Sequence, residues 1–426
     1  MYICKLLNEL KQRGLISQIT NEKRIIKILK NDIISLYCGF DPTAESLHIG
    51  HILPLLCLRL FQIYGHKPII LIGSATSIIG DPSFKNKLRN EINFNIINFW
   101  IKNIYKNISL FINFNKGKNK GIFLNNYNWF KKINVIFFLK NIGKYFSVKS
   151  MINKEFIKNR LKFSKKGILF SEFSYNLLQA YDFSYLNKKY NVILQIGGSD
   201  QWGNIISGIH LTKKLYKSKV FGVTCPLLMQ SNGIKFGKTE NNTIWLDNKK
   251  TSPYKFFQFW ININDKDIMK FLKYFTIFPL FQLINIEEKY FCKKINPNYI
   301  KYKIAKFITI LVHGKKNFLS AKRITKSLFF GNVDYLKKND FKKLMQDGLS
   351  YLFLKGFVDL QKVLLLSKLS FSKNQARNMI LSNSICINKK KINNIYYVFK
   401  KKDKLYNKYT LLSKGKKNYF LLVWMN

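Results

Sequence analysis

The sequence predicts an α/β fold: a domain built on a parallel sheet, then a helical domain, then a small α+β module. Three observations carry this. Short, unbroken apolar runs closed by glycine alternate with helical patterns before Thr251. Apolar residues at mixed three and four spacings then run to about Asp340. From Phe357 the texture shortens to two brief helical patterns and an apolar strand. At about 150 residues per domain, 426 residues suggest two or three domains.

Residues 33–37 form a β-like run closed by Gly39-Phe40-Asp41-Pro42, and a helical pattern follows through about Tyr64. Residues 68–72 are a second run, closed by Gly73, and residues 121–124 and 192–196 are two more. Strands that are apolar throughout are covered on both faces, as in a parallel sheet. Ligands in such sheets lie beyond the carboxyl ends of the strands. Those ends carry Tyr37-Cys38-Gly39, Gly80-Asp81-Pro82 and Gly197-Gly198-Ser199-Asp200-Gln201. The Lys/Asn-rich residues 113–120 read as a loop. Residues 359–369 and 374–382 read as helices and 384–387 as a strand, and there is no internal repeat.

Composition excludes several classes. Disordered chains lack aromatic residues, and this one is 15% aromatic and 47% apolar. Cys4, Cys38, Cys57, Cys225, Cys292 and Cys386 are scattered, with no CxxC pair for zinc or redox chemistry, so a reducing cytoplasm is expected. No uncharged apolar run approaches the roughly 20 residues of a membrane helix. The opening MYICKLLNELKQRG mixes acid and base and does not read as a signal peptide. The net charge of +51 is a weaker clue, because Lys, Asn, Ile, Phe and Tyr all have codons rich in A and T. Placement says more: eleven lysines face one acid, Asp403, between Lys389 and Lys417, which suggests a nucleic-acid face.

Three motifs carry chemistry. In Pro42-Thr43-Ala-Glu-Ser-Leu-His48-Ile-Gly50-His51, two imidazoles share one face of a helix's first turn. The free N–H groups and positive dipole end there suit phosphate, Thr43 adds a hydroxyl, and Gly50 lets a flat ring approach the backbone. In Lys235-Phe236-Gly237-Lys238-Thr239, two lysines three apart lie in a glycine-bounded loop suited to closing over a leaving pyrophosphate. Alone, such a pair is ordinary solvated surface. Tyr175, Gln179 and Asp182 form one polar stripe on a helix whose other neighbours are apolar, so the stripe needs partners that a polar small molecule can supply. A wet face of an amphipathic helix would give the same stripe.

These residues together resemble the bacterial tyrosyl-tRNA synthetases, a class I aminoacyl-tRNA synthetase family. The matching strings are Tyr37-Cys-Gly-Phe-Asp-Pro-Thr43, His48-Ile-Gly-His51, Gly80-Asp-Pro-Ser83, Gln195-Ile-Gly-Gly-Ser-Asp-Gln-Trp-Gly-Asn204, Lys235-Phe-Gly-Lys-Thr239 and the tail Gly415-Lys-Lys-Asn-Tyr419. The resemblance implies that Tyr37 and Asp182 bond the phenol of L-tyrosine. It makes Asp81, Tyr175 and Gln179 the cradle for the ammonium group, with Gln201 nearby. Cys38, Gly39, Asp41, His48, Gly198, Asp200 and Lys238 become the ATP contacts. Thr43, His48, His51, Lys85, Arg89, Lys235 and Lys238 become the groups that stabilise the transition state. Two departures stand out. Phe236, Gly237 and Thr239 replace three positions of the wider Lys-Met-Ser-Lys-Ser pattern. Asn388 and Lys389 stand where a turn glycine is usual, although Asn tolerates left-handed φ.

The family implies a Rossmann-like parallel-sheet catalytic domain over 1–250, a helical anticodon-side domain over 251–345 and a linker over 346–356. It implies a ribosomal-protein-like RNA-binding module over 357–426 that uses Lys373, Arg377, Lys416 and Lys417. The expected reaction joins tyrosine to tRNA(Tyr) through tyrosyl-adenylate. ATP is a substrate, Mg2+ travels with it, and no dedicated metal site, tightly bound cofactor or membrane is expected. A homodimer is implied. A tryptophanyl enzyme shares the fold, but Asp182 with Tyr37 suits a phenol, and the C-terminal module is not expected there. A non-catalytic RNA-binding descendant should have lost histidines or lysines from the nucleotide motifs, and none is missing. A generic basic coat protein would not need the helix stripe.

Overall fold

The computed structural model describes residues 5–80, 94–154, 157–158, 161–162, 168–229, 243–330, 333–415 and 418–425. The chain divides into two compact units, Met1–Leu246 with Asn264–Ile300, and Asp247–Ile263 with Lys301–Asn426.

The first unit holds a six-stranded sheet. Its strands are β1 Gln18–Ile19, β2 Ser35–Phe40, β3 Lys67–Ile72, β4 Ile122–Asn125, β5 Val192–Gly198 and β6 Phe221–Cys225, in the spatial order β1-β6-β5-β2-β3-β4. β1 runs antiparallel to β6, and every other pairing is parallel. The four expected runs are β2 to β5. Sequence reading omits β1, which has two residues, and β6, whose FGVTC has the same apolar texture as the others. Gly80, expected at a strand end, instead closes the helix Ser74–Ile79 at φ 89°.

From β2 the chain proceeds to β3 and β4 on one side, and from β5 to β6 on the other. The gap between the carboxyl ends of β2 and β5 is therefore the switch point at which such sheets bind ligands. The helix Phe170–Tyr190 covers this region and packs along Trp202–Tyr216. A Cβ on Gly208 would stand 2.9 Å from Phe183 Cδ1, so glycine permits the close approach. Asn176 Nδ2 donates to Asn204 Oδ1 (2.6 Å), and the hydroxyls of Ser184 and Thr212 pair at 2.9 Å. These bonds satisfy polar groups that the helix pair buries.

In the second unit, β7 Tyr351–Leu354, β8 Ile385–Ile387, β9 Lys390–Lys391, β10 Tyr409–Lys414 and β11 Asn418–Trp424 form a sheet in the order β7-β11-β10-β8-β9. Alternation along its strands fills two cores. Leu412, Leu422 and Trp424 pack with Val363, Leu364, Ala376 and Ile380 of the helices Leu360–Leu366 and Lys373–Leu381. Tyr409, Leu411, Leu421 and Val423 pack on Ile324, Leu328, Phe341 and Leu344. Both faces of the sheet are thus covered, and helical residues 301–346 share one compact unit with the tail. The stretch 346–356, expected as a linker, contains β7, which pairs in parallel with Leu421–Trp424. The helix Pro297–Phe330 is interrupted at Gly314 (φ 80°).

Candidate active site

The stripe on Phe170–Tyr190 faces the switch point. The helical rise of 1.5 Å per residue separates Tyr175 from Asp182 by about 10 Å, the length of an amino-acid pocket. At one end, Tyr175 Oη donates to Asp41 Oδ2 at 2.9 Å, and Thr76 Oγ1 donates to Asp41 Oδ1 at 2.8 Å. At the other, Trp129 Nε1 donates to Asp182 Oδ1 (2.9 Å) and Asn126 Nδ2 to Asp182 Oδ2 (3.1 Å). Asn126 Nδ2 also reaches Thr76 Oγ1 at 3.2 Å. One buried network therefore ties the two carboxylates together. Gly73 makes room for it: a Cβ there would lie 2.0 Å from Asp41 Oδ1.

Burial pushes the Asp182 carboxyl up to about 8. The bonds from Asn126 and Trp129 pull it down, and the Asp41 charge adds to the rise. Tyr37, on β2, is 1% exposed, and its hydroxyl has no hydrogen-bond partner. Burial, then the charge of Asp182, hold that phenol well above its ordinary value, so it remains a donor. Phe183 meets the ring edge-on at 5.3 Å. Gln195 is the Cα partner of Tyr37 on the neighbouring strand, so both side chains stand on one face of the sheet. The Oε1 atoms of Gln195 and Gln179 are likewise buried without partners. A buried polar atom left unpaired is costly, and three in one region point to a missing polar ligand.

Along the crevice, Gly39 is the exposed residue at the carboxyl end of β2, and a Cβ added there would meet nothing within 4 Å. Cys38 points inward. Burial first, then Cys225 and Asp200, push its thiol well above the ordinary range. Asp200 folds over Gly198, where a Cβ would stand 2.3 Å from Asp200 Oδ1. Gln201 Oε1 accepts from Asn204 Nδ2 at 3.1 Å, which links it to Asn176. Thr43 is exposed at the rim, with its N–H donating to Asp41 O at 2.9 Å.

The histidine motif opens a short 3-10 turn, Ile49–His51, that leads into the helix Ile52–Ile63. His48 Nδ1 accepts from Gly50 N (3.0 Å), and His51 Nδ1 accepts from His48 N (3.2 Å). Each neutral ring therefore carries its proton on Nε2 as a donor. The ring centroids are 4.1 Å apart. Gly50 accommodates the ring of His48, since a Cβ there would lie 2.7 Å from His48 Cε1. Ile49 N donates to Ile244 O, Leu246 N donates to Leu47 O, and His48 bridges to Trp245. Residues 244–246 are thus stitched to the histidine motif.

Asp81, Lys85, Arg89, Lys235, Lys238, Lys416 and Lys417 lie outside the described residues. Lys373 and Arg377 are exposed one helical turn apart, beside the buried stripe of Ala376, Met379 and Ile380. Sequence reasoning missed Thr76, Asn126 and Trp129, and it quoted Asn176, Gln195 and Asn204 within motifs without giving them a role. Among the described residues, no group of three or more His, Cys, Asp or Glu could hold a metal ion. The five described cysteines are free, and no described helix is long and apolar enough to cross a membrane.

Comparison with known proteins matches residues 29–330 to the family "tRNA synthetases class I (W and Y)" and residues 340–422 to "Tyrosine--tRNA ligase SYY-like C-terminal domain". The chain is 55% identical over 421 residues to a tyrosine–tRNA ligase of Buchnera aphidicola subsp. Acyrthosiphon pisum (strain Tuc7), covering 98% of this chain and 99% of that one. It is 49% identical to a tyrosine–tRNA ligase of Escherichia coli O8 (strain IAI1), with 98% and 99% covered. Among solved structures, a C-terminally truncated Aspergillus nidulans mitochondrial tyrosyl-tRNA synthetase aligns with a TM-score of 0.67 at 27% identity, over 76% of this chain and 94% of that one.

Proposed function

The chain belongs to the tyrosine–tRNA ligase family of class I aminoacyl-tRNA synthetases, and from that premise we propose how its own residues divide the work of joining L-tyrosine to tRNA(Tyr) with ATP. The observation that carries the reading is the buried Tyr37 hydroxyl without a partner beside Asp182. A phenol entering there accepts from Tyr37 and donates to Asp182. Tyr175, Gln179, Gln201 and Asp81 receive the ammonium group.

In the first step a tyrosine carboxylate oxygen bonds to the α-phosphorus of ATP. The bond from that phosphorus to the bridging oxygen breaks, and pyrophosphate leaves. No side chain acts as a nucleophile; the gain comes from in-line placement and charge stabilisation. The Nε2–H groups of His48 and His51, with Thr43, Lys85, Arg89, Lys235 and Lys238, face the phosphates in this reading. Cys38, Gly39, Asp41, Gly198 and Asp200 form the nucleotide floor. In the second step a hydroxyl of the terminal ribose of tRNA attacks the acyl carbon, and AMP leaves. Mg2+ arrives as the counter-ion of the ATP phosphates.

A homodimer is supported by Val135–Asn141, a helix of sequence VIFFLKN with no buried residue, and by the exposure of Val148, Ile152 and Phe170. Apolar surface of that kind calls for a partner. We assign residues 251–345 to the anticodon side and residues 357–426 to RNA binding, where exposed Lys373 and Arg377 support the reading. The free thiols fit a cytoplasmic location. The test is exchange of label between pyrophosphate and ATP: it is expected to require tyrosine, and exchange driven equally by tryptophan would overturn the assignment.

A further inference from the structure

Gly314 breaks the helix Pro297–Phe330, so a new helical segment starts at Lys315. Beside it begins the helix Lys338–Gln346, capped by Lys337. The first turns of these two segments line a cleft of about 780 Å³ within the second unit. Six cations line it: Lys315, Lys316, Arg323, Lys337, Lys338 and Lys343. The lining holds one carboxylate, Asp340, and that group is 1% exposed. Its oxygens accept from Ser320 Oγ (2.6 Å), Arg323 Nε and Nη2 (2.8 and 2.9 Å) and Lys337 N (2.9 Å). Asp340 thus pairs with Arg323, and the lining offers no second carboxylate to Lys315, Lys316, Lys337 and Lys338. Burial, together with the charges of Arg323 and Lys316, lowers the pKa of Lys343 despite the opposing pull of Asp340 and Asp347.

Lysines at these positions oppose helix stability. The N-terminal end of a helix is the positive end of its dipole, and a cation there is destabilising. Random enrichment in lysine would load exposed faces anywhere. Here Lys315, Lys316, Lys337 and Lys338 gather at two helix N-termini that share one cleft. Local choices that work against the fold mark functional sites. A bound phosphate relieves both the lysine repulsion and the dipole conflict.

We infer that this cleft binds backbone phosphates of tRNA through Lys315, Lys316, Lys337, Lys338 and Lys343, as a contact site separate from Lys373 and Arg377. The inference rests on the reading of tRNA as substrate. The test uses the full chain, tRNA(Tyr) and a series of salt concentrations. One variant is Lys316→Gln with Lys338→Gln. Its control is Lys326→Gln with Lys342→Gln, which makes the same charge change on the same helices outside the cleft. Each phosphate contact contributes about 0.7–0.9 to the slope of log affinity against log salt, so the cleft pair is expected to flatten it by about 1.4–1.8. The control is expected to change it by less than half as much. Equal effects of the two pairs, or none from the cleft pair, overturn the inference. Inorganic phosphate replacing chloride at equal ionic strength should weaken tRNA binding by the parent more than by the cleft variant. If phosphate binds the cleft but tRNA affinity ignores these lysines, the site takes free anions and the inference fails. Tyrosine-dependent pyrophosphate exchange is expected unchanged in both variants. Its absence from the parent would instead sink the functional reading.

Discussion

Tyr175 donates its phenol hydroxyl to Asp41 at 2.9 Å. The bond joins a residue of the helix stripe to the end of β2, and so joins the amino-acid end of the crevice to its nucleotide end. The family resemblance assigns these two residues to different substrates, whereas their geometry couples them.

Tyr175→Phe keeps the ring and removes the donor. A hydrogen bond to a charged group is worth about 1.5–3 kcal/mol. Adenylation kcat/KM is therefore expected to fall roughly 10- to 100-fold, with both tyrosine and ATP affinity affected. Steady-state exchange kinetics varied in each substrate check this. A change confined to tyrosine would mean that the Asp41 bond does not couple the two ends.

The Asp182 carboxyl gives a pH prediction. Below about 8 it carries a proton, and above that value it is the stronger acceptor for a ligand phenol. Tyrosine affinity is expected to rise as pH increases toward 8 and then level off. Trp129→Phe deletes a donor that favours the charged form, so the midpoint should move to higher pH. Equilibrium binding of tyrosine from pH 6 to 9 is the measurement. An unmoved midpoint in the variant would show that Trp129 does not tune Asp182.

Two glycines should behave in opposite ways. Gly39→Ala adds a methyl group into open space, so folding is expected to be intact while the KM for ATP rises and tyrosine binding holds. Gly73→Ala drives a Cβ into Asp41 and Thr76, so stability and both substrates should suffer. Thermal melts paired with the two KM values separate the cases. Normal ATP kinetics in Gly39→Ala would remove that residue from the nucleotide floor.

Ending the chain after Gln346 tests the covered sheet. Phe341 stacks on Tyr409 at 4.7 Å, and the lost strands also cover Ile324 and Leu328. The truncated protein is expected to lose cooperative melting of its helical part or to aggregate, because a large apolar face is uncovered. A soluble, fully cooperative truncation would show that residues 301–346 fold without the tail.

Much of this was legible in the sequence, for identifiable reasons. β2 to β5 are mainly apolar runs, and the stripe of Tyr175, Gln179 and Asp182 follows the helical period. The pair His48 and His51 sits in one short motif. Asn126 and Trp129 were not legible, because they reach Asp182 from more than 50 residues away. Local spacing does not encode such a bond. β7 was hidden because it is four residues long and half exposed, and its pairing partner lies 70 residues later. The missing turn glycine is also resolved. Asn388 and Lys389 both adopt left-handed φ, of 47° and 69°. Asn388 is held by bonds to Asp403 O and Leu411 N, and Lys389 Nζ rests on the Tyr419 ring and donates to Leu328 O.

The central claim is that the Tyr37 hydroxyl and Asp182 read a phenol. The most direct measurement is pyrophosphate exchange with tyrosine and with phenylalanine, in the parent and in Tyr37→Phe. In the parent, tyrosine is expected to be preferred by orders of magnitude, because phenylalanine leaves buried polar groups unpaired. In Tyr37→Phe, kcat/KM for tyrosine should drop while that for phenylalanine stays level or rises, so the preference narrows. An unchanged preference in that variant would contradict the account.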